Sequence, residues 1–119
     1  MAMSKKRKVI WDKSNGKCWY CGCGLGENGW HADHFKPVIR KVDGTMRAPE
    51  NDVEENMVPA CGSCNRMKGR MSIDSFRKII EGFVNSLNRD STQYKFSKRY
   101  GLVEETHNEV EFWFEKQGL

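Results

Sequence analysis

Several things this chain has little of narrow its possible roles before any motif is read. No run of apolar residues approaches the roughly 20 that a membrane-crossing helix requires, so such a helix is excluded. The N-terminus carries a basic run, Lys5-Lys6-Arg7-Lys8, without the apolar segment of a secretory leader, and the expected compartment is the cytoplasm. There is no internal repeat and no low-complexity tract, which argues against solenoids and disordered linkers. Charge of one sign is not extreme: the net value is +4, with 30% charged and 38% hydrophobic residues. That balance describes a globular protein with a modest core, and 119 residues suffice for one domain, which would gain from a metal staple.

Cysteine is present but wrongly arranged for a disulfide scaffold. Four of the five cysteines form two close pairs, Cys18/Cys21 and Cys61/Cys64, and Cys23 stands apart. Cys-x2-Cys is the spacing that lets two thiolates reach one tetrahedral ion, so the four together predict a closed, structural Zn2+ site. A site fully ligated by protein has no open position for a substrate. Any chemistry must lie elsewhere.

Between the pairs lies a polar cluster: His31, Asp33, His34 and Asn56, with Asn65 directly after Cys64. Asp33 and Asn65 offer hard oxygen ligands suited to one Mg2+ or Mn2+ that also takes phosphate oxygens. His34, next to Asp33 on a strand, points to the opposite face and can act as a base on water without ligating the ion. Asn56 can hold the histidine or its backbone by a hydrogen bond. His31 should share a strand face with Asp33 and come near the same ion, or else serve a structural role or touch the partner. Basic residues gather at Lys5, Lys6, Arg7 and Lys8 and again at Arg66, Lys68 and Arg70, a distribution that favours a polyanion partner.

Periodicity predicts a helix over 4–14 ending at the Asn15-Gly16 turn, a strand over 30–39 limited by Pro37, a loop over 40–55, and a strand at 57–60. A helix-compatible segment follows over 61–69. A clearer helix spans 72–87, with Ile73, Phe76, Ile79, Ile80, Phe83, Val84 and Leu87 expected to pack in the core. Residues 89–100, with Tyr94, Phe96 and Tyr100 among Lys95, Lys98 and Arg99, read as a short amphipathic element covering that core rather than a polyanion-binding surface, and Val110, Phe112 and Phe114 alternate with Glu109, Glu111, Trp113 and Glu115 as a C-terminal strand.

Three blocks, Asp33-His34-Phe-x-Pro37, Glu55 to Cys61 and Cys61 to Gly69, resemble the HNH endonucleases of the ββα-metal type. The resemblance covers roughly residues 17–70. It implies an α+β fold: a small ββα-metal core stapled by zinc, flanked by an N-terminal helix, a long helix after the core and a C-terminal strand. The expected organisation is a single domain over 1–119, with the core at 17–70 and an extension at 71–119. By position, the family pattern makes His34 the general base, Asn56 the residue that fixes it, and Asp33 and Asn65 the ligands of the catalytic ion. Arg66, Lys68 and Arg70, with Lys5 to Lys8, would contact phosphate. The implied activity is metal-dependent hydrolysis of double-stranded DNA, one strand per site. The protein would act as a monomer, a weak dimer or part of a larger phage or restriction assembly. Two other classes remain open at this point: a zinc-stabilised module that binds nucleic acid without cutting it, and a zinc domain that binds protein.

Overall fold

A computed structural model describes residues 3–119. The chain divides into two compact units: the residues up to Ile73 together with Glu111–Leu119, and Asp74–Val110. The first unit holds every residue proposed above for chemistry.

Helix α1, Lys5–Asp12, begins at Ser4, whose hydroxyl accepts from the Arg7 amide at 3.2 Å. It ends in the expected turn, where Asn15 and Gly16 have φ of +57° and +84°. A side chain at Gly16 would meet the Trp11 ring at 2.7 Å, so the turn needs glycine for space as well as for backbone freedom.

Strand β1, His31–His34, pairs antiparallel with β2, Met57–Ala60, placing Asp33 opposite Val58 and His34 opposite Met57. β1 is shorter than the expected 30–39. Beyond His34 the Phe35 amide turns to the Asn56 carbonyl, and the Asn56 side chain takes both the amide and the carbonyl of Lys36. The expected loop over 40–55 is itself ordered. Ala48 and Arg47 donate to the carbonyls of Val38 and Ile39, and Arg40 bridges to Met46. Two 3-10 turns, Pro49–Asn51 and Glu54–Asn56, then return the chain to β2. Helix α2, Gly62–Lys68, starts at Cys61 and completes the ββα unit.

The C-terminal strand expected from the alternation at 110–114 is not formed. Trp113–Lys116 is instead a short helix. The reason lies in its partners. The first-turn amides of a helix need acceptors, and these are supplied by the Tyr20 carbonyl for Trp113, the Trp19 carbonyl for Phe114 and the Glu115 carboxylate for Phe112. Phe112 is buried with its edge on Tyr20, and Phe114 stacks on Trp19 and meets Phe35 edge-on. This aromatic cluster ties the chain's end to the first cysteine knuckle. Gly22 in that knuckle has φ +78°, and a side chain there would meet Trp113 at 2.5 Å.

The second unit contains α3, Ile73–Asp90, from its second residue onward, and α4, Thr92–Arg99. The two helices turn at Ser91, whose hydroxyl caps α4 through the Tyr94 amide. The expectation that the α3 stripe is core needs correction. Phe76 is buried, whereas Ile79, Phe83, Val84 and Leu87 keep 36–44% of their surface. The short element expected over 89–100 is a helix at 92–99, but no α4 side chain is buried and Phe96 and Tyr100 are exposed, so α4 does not cover a core. Polar bonds do more in this unit. Glu105 accepts from Asn88, Tyr94 and Lys98, and Val110 is held by Arg77 and Glu81.

Candidate active site and metal centre

Cys18 lies in the first knuckle, closed by the bonds from Cys18 N–H to the Cys23 carbonyl and from Gly22 N–H to the Cys18 carbonyl. Cys61 and Cys64 come from the start of α2, where the Cys61 sulfur accepts from the Cys64 amide. The four sulfurs of Cys18, Cys21, Cys61 and Cys64 all lie within 4.8 Å of one another, and the Cys21 and Cys61 sulfurs are 3.9 Å apart. Thiolates bound at about 2.3 Å to a tetrahedral zinc stand about 3.8 Å apart, so the donor set fits that ion. Hydrogen bonding from Cys64, and then from backbone amides, pulls the Cys18 thiol down to about 4, against the opposing effect of its burial. Cys23 is exposed and is not one of the four clustered ligands.

Asp33 is buried and saturated with donors. Tyr20 Oη donates to Oδ2 at 2.5 Å, Asn65 Nδ2 to Oδ1 at 3.1 Å, and Lys68 Nζ lies 3.3 Å from Oδ2. Burial first, then the Asp33 charge, pushes the Tyr20 phenol up, so it remains the donor. The 3.1 Å between the Asp33 and Asn65 head groups matches the roughly 3 Å between neighbouring oxygens on a magnesium octahedron. The pair therefore fits a hard divalent ion once the Asn65 carboxamide presents its oxygen.

His34 faces away from this cluster and bonds Asp52, Nε2 to Oδ1 at 2.8 Å. The bond to His34 holds the Asp52 carboxyl below its ordinary range, so it is ionised near neutral pH and can only accept. Neutral His34 must then carry its proton on Nε2. Nδ1 is left as the basic nitrogen. Asp33 and His34 both line a cleft of about 330 Å³ whose other wall includes Ile39, Arg40 and Arg70. Asn56 makes no bond to the His34 ring; it pins the Lys36 peptide two residues on and also donates to Asn51, acting on the backbone alone. His31 is exposed opposite Ala60.

Residues 18–71, slightly under half of the chain, match the HNH endonuclease family. The likeness to that family is confined to this segment. No curated protein matches the chain. Among solved structures, the chain resembles the Type II-C Cas9 enzyme from Actinomyces naeslundii at 23% identity and a TM-score of 0.50. The likeness covers 66% of this chain and 8% of that one, and it concerns the fold alone. No helix among the described residues is long and apolar enough to cross a membrane.

Around this segment the basic residues divide into two kinds. Lys68, expected at a phosphate, is completely buried, donating to the His34 carbonyl at 3.0 Å and facing Asp33. It cannot reach DNA from there; it neutralises Asp33 and fixes the backbone of the histidine. Arg7 is likewise turned inward, its guanidinium 3.8 Å above the Trp30 ring and bonded to the Trp30 carbonyl. Lys8 pairs with Asp12 on the exposed side of α1. Lys5, Lys6, Arg66 and Arg70 are the members of the two basic clusters left facing outward. Sequence reasoning missed Tyr20, Asp52, Arg40 and Arg47. Tyr20, between two cysteine ligands, carried a positional hint; Asp52 lies in a loop with no spacing rule linking it to His34.

Proposed function

We propose that this protein is a metal-dependent endonuclease that hydrolyses DNA phosphodiesters, one strand per active site. The observation that carries the reading is that Asp33, which Asn65 bonds, and His34, which Asp52 bonds, both line one cleft in the segment similar to the HNH endonucleases. His34 Nδ1 takes a proton from water as the oxygen attacks phosphorus and one P–O bond breaks. Asp52 keeps the imidazole in the required tautomer and stabilises the imidazolium that forms. Asp33 and Asn65 would hold Mg2+ or Mn2+, and that ion, when bound, would supply charge neutralisation at the phosphate. Lys68 and Asn56 position the backbone on either side of His34. The four cysteines would hold a structural zinc, and a ligated Cys64 would fix the neighbouring Asn65.

Supercoiled plasmid with Mg2+ should pass through the nicked circle before the linear form. His34→Ala should slow nicking by about 10²–10⁴-fold without lowering the melting temperature. Equal cleavage by His34→Ala would remove the assignment of the base. A second reading is favoured by the saturation of Asp33, which three donors already satisfy. In a zinc-stabilised module that binds DNA without cutting it, that carboxylate would be structural, and no divalent ion would support cleavage.

A further inference from the structure

Between β1 and β2 the chain makes an excursion that the catalytic residues do not use. Lys41 N–H donates to the Thr45 carbonyl at 2.7 Å and Gly44 N–H to the Lys41 carbonyl at 3.0 Å, closing a tight hairpin with Val42 at its tip. Val42 is fully exposed, at 109% of its reference area. At the hairpin's base Ile39 sits at φ +53°, a region that a β-branched residue rarely adopts. Its carbonyl is held there by the Arg47 amide. An apolar tip on a strained, fully bonded stem does not serve core burial, and such strain gathers at binding elements.

The surroundings of the hairpin are basic. Arg40, Lys41, Arg47 and Arg70 line a cleft of about 710 Å³. Asp43, the acid in that lining, has its carboxylate engaged by the amide and hydroxyl of Thr45. Ile39, Arg40 and Arg70 also line the Asp33–His34 cleft, so the basic surface runs directly into the candidate active site.

We infer that the hairpin 40–46 grips duplex DNA beside the scissile phosphate: Arg40, Arg47 and Arg70 hold the backbone and Val42 presses as an apolar wedge against a base step. This inference rests on the nuclease reading for its target but not for its test. Binding of a labelled duplex by the His34→Ala protein across a salt series reads it without any cleavage. Arg40→Gln with Arg47→Gln should weaken binding at least about tenfold and lower the log–log salt slope by about 1.8; Arg70→Gln, on a separate turn of chain, should lower it by about 0.9. Val42→Ser should leave the slope unchanged yet abolish the brightening of a 2-aminopurine base that the parent protein unstacks. Unchanged affinity and slope in the double variant and in Arg70→Gln would overturn the inference, as would tighter binding to single-stranded DNA or RNA than to duplex. Nicking by the wild-type enzyme with hairpin variants that bind normally removes the hairpin and keeps the nuclease. Binding through the hairpin with no cutting under any divalent ion removes the nuclease and keeps the hairpin.

Discussion

The two units of this molecule satisfy their polar groups in opposite ways. The first buries charge: Lys68 and Asp33 are enclosed together, with Tyr20 and Asn65 completing the donors, under an aromatic cluster that includes Phe112. The second gathers its polar bonds on Glu105, whose partner Lys98 stays exposed, and leaves much of an apolar helix stripe exposed. A buried ion pair is costly unless its geometry is held rigidly. The first unit has the means for that rigidity, since the two chain segments that carry Cys18 and Cys64 also carry Tyr20 and Asn65. The second unit has no equivalent cluster of ligands among the described residues. Preorganisation is thus concentrated in the unit that would do chemistry.

Removing zinc should break the comparison most severely. A structural zinc contributes an apparent ~10–16 kcal/mol, comparable to or above the whole stability of a small domain. All four tryptophans, Trp11, Trp19, Trp30 and Trp113, belong to the first unit, so their emission reports it alone. A strong chelator, or Cys61→Ser, should abolish the cooperative tryptophan transition; a native transition in metal-free protein would show that the cysteines do not hold the unit together.

Lys68→Ala sharpens the contrast at a single side chain. It leaves the Asp33 carboxylate buried without its cation, and truncating one partner of such a pair costs about 3–5 kcal/mol. Lys98→Ala removes an ion pair too, but one whose cation is exposed to solvent and whose Glu105 keeps bonds from Asn88 and Tyr94, so its loss should be about 1 kcal/mol or less. Denaturant titration of both variants checks this. Equal losses would mean that Lys68 is not the buried counterion described above.

The smallest expected effect is one of pH. Hydrogen bonds from Asn88 and Tyr94, and then Lys98, lower Glu105 from an ordinary 4.5 to about 2. Because the folded value lies below the unfolded one, its stabilising contribution is full above pH 4.5 and is lost as pH falls toward about 2. Amide signals of residues 104–110 followed by NMR should show local loosening over that window, and Glu105→Gln should flatten it. A slope that survives the substitution would assign the acid response to other carboxylates.

Much of the fold is legible in the sequence because its signals are local. The two Cys-x2-Cys spacings, the Asn15-Gly16 turn, β2 at Met57–Ala60 and the apolar period of α3 each depend on neighbours within a turn or a strand. Alternation at 110–114 is ambiguous for the same reason. The five residues Val110-Glu111-Phe112-Trp113-Phe114 suit a strand or the approach to a helix, and the distant carbonyls of Trp19 and Tyr20 decide for the helix. The candidate site divides similarly. Asp33, His34 and Asn65 stand at fixed offsets from one another's motifs, whereas Asp52 reaches His34 only because the loop between the strands folds back.

By itself, then, the sequence determined which residue types could do chemistry and where metal ligands could pair, because Asp33, His34, Asn65 and the cysteines are set by spacing along short elements. Only the tertiary structure decided how those residues are used. It turned Lys68 and Arg7 inward, gave His34 the Asp52 carboxylate 18 residues away, and brought Arg40, Arg47 and Arg70 to one cleft. The physical reason is the path of the 35–56 loop. Its course is set by Asn56 bonding the Lys36 peptide and by the strained turn at Ile39, contacts between residues far apart in sequence that no local period encodes.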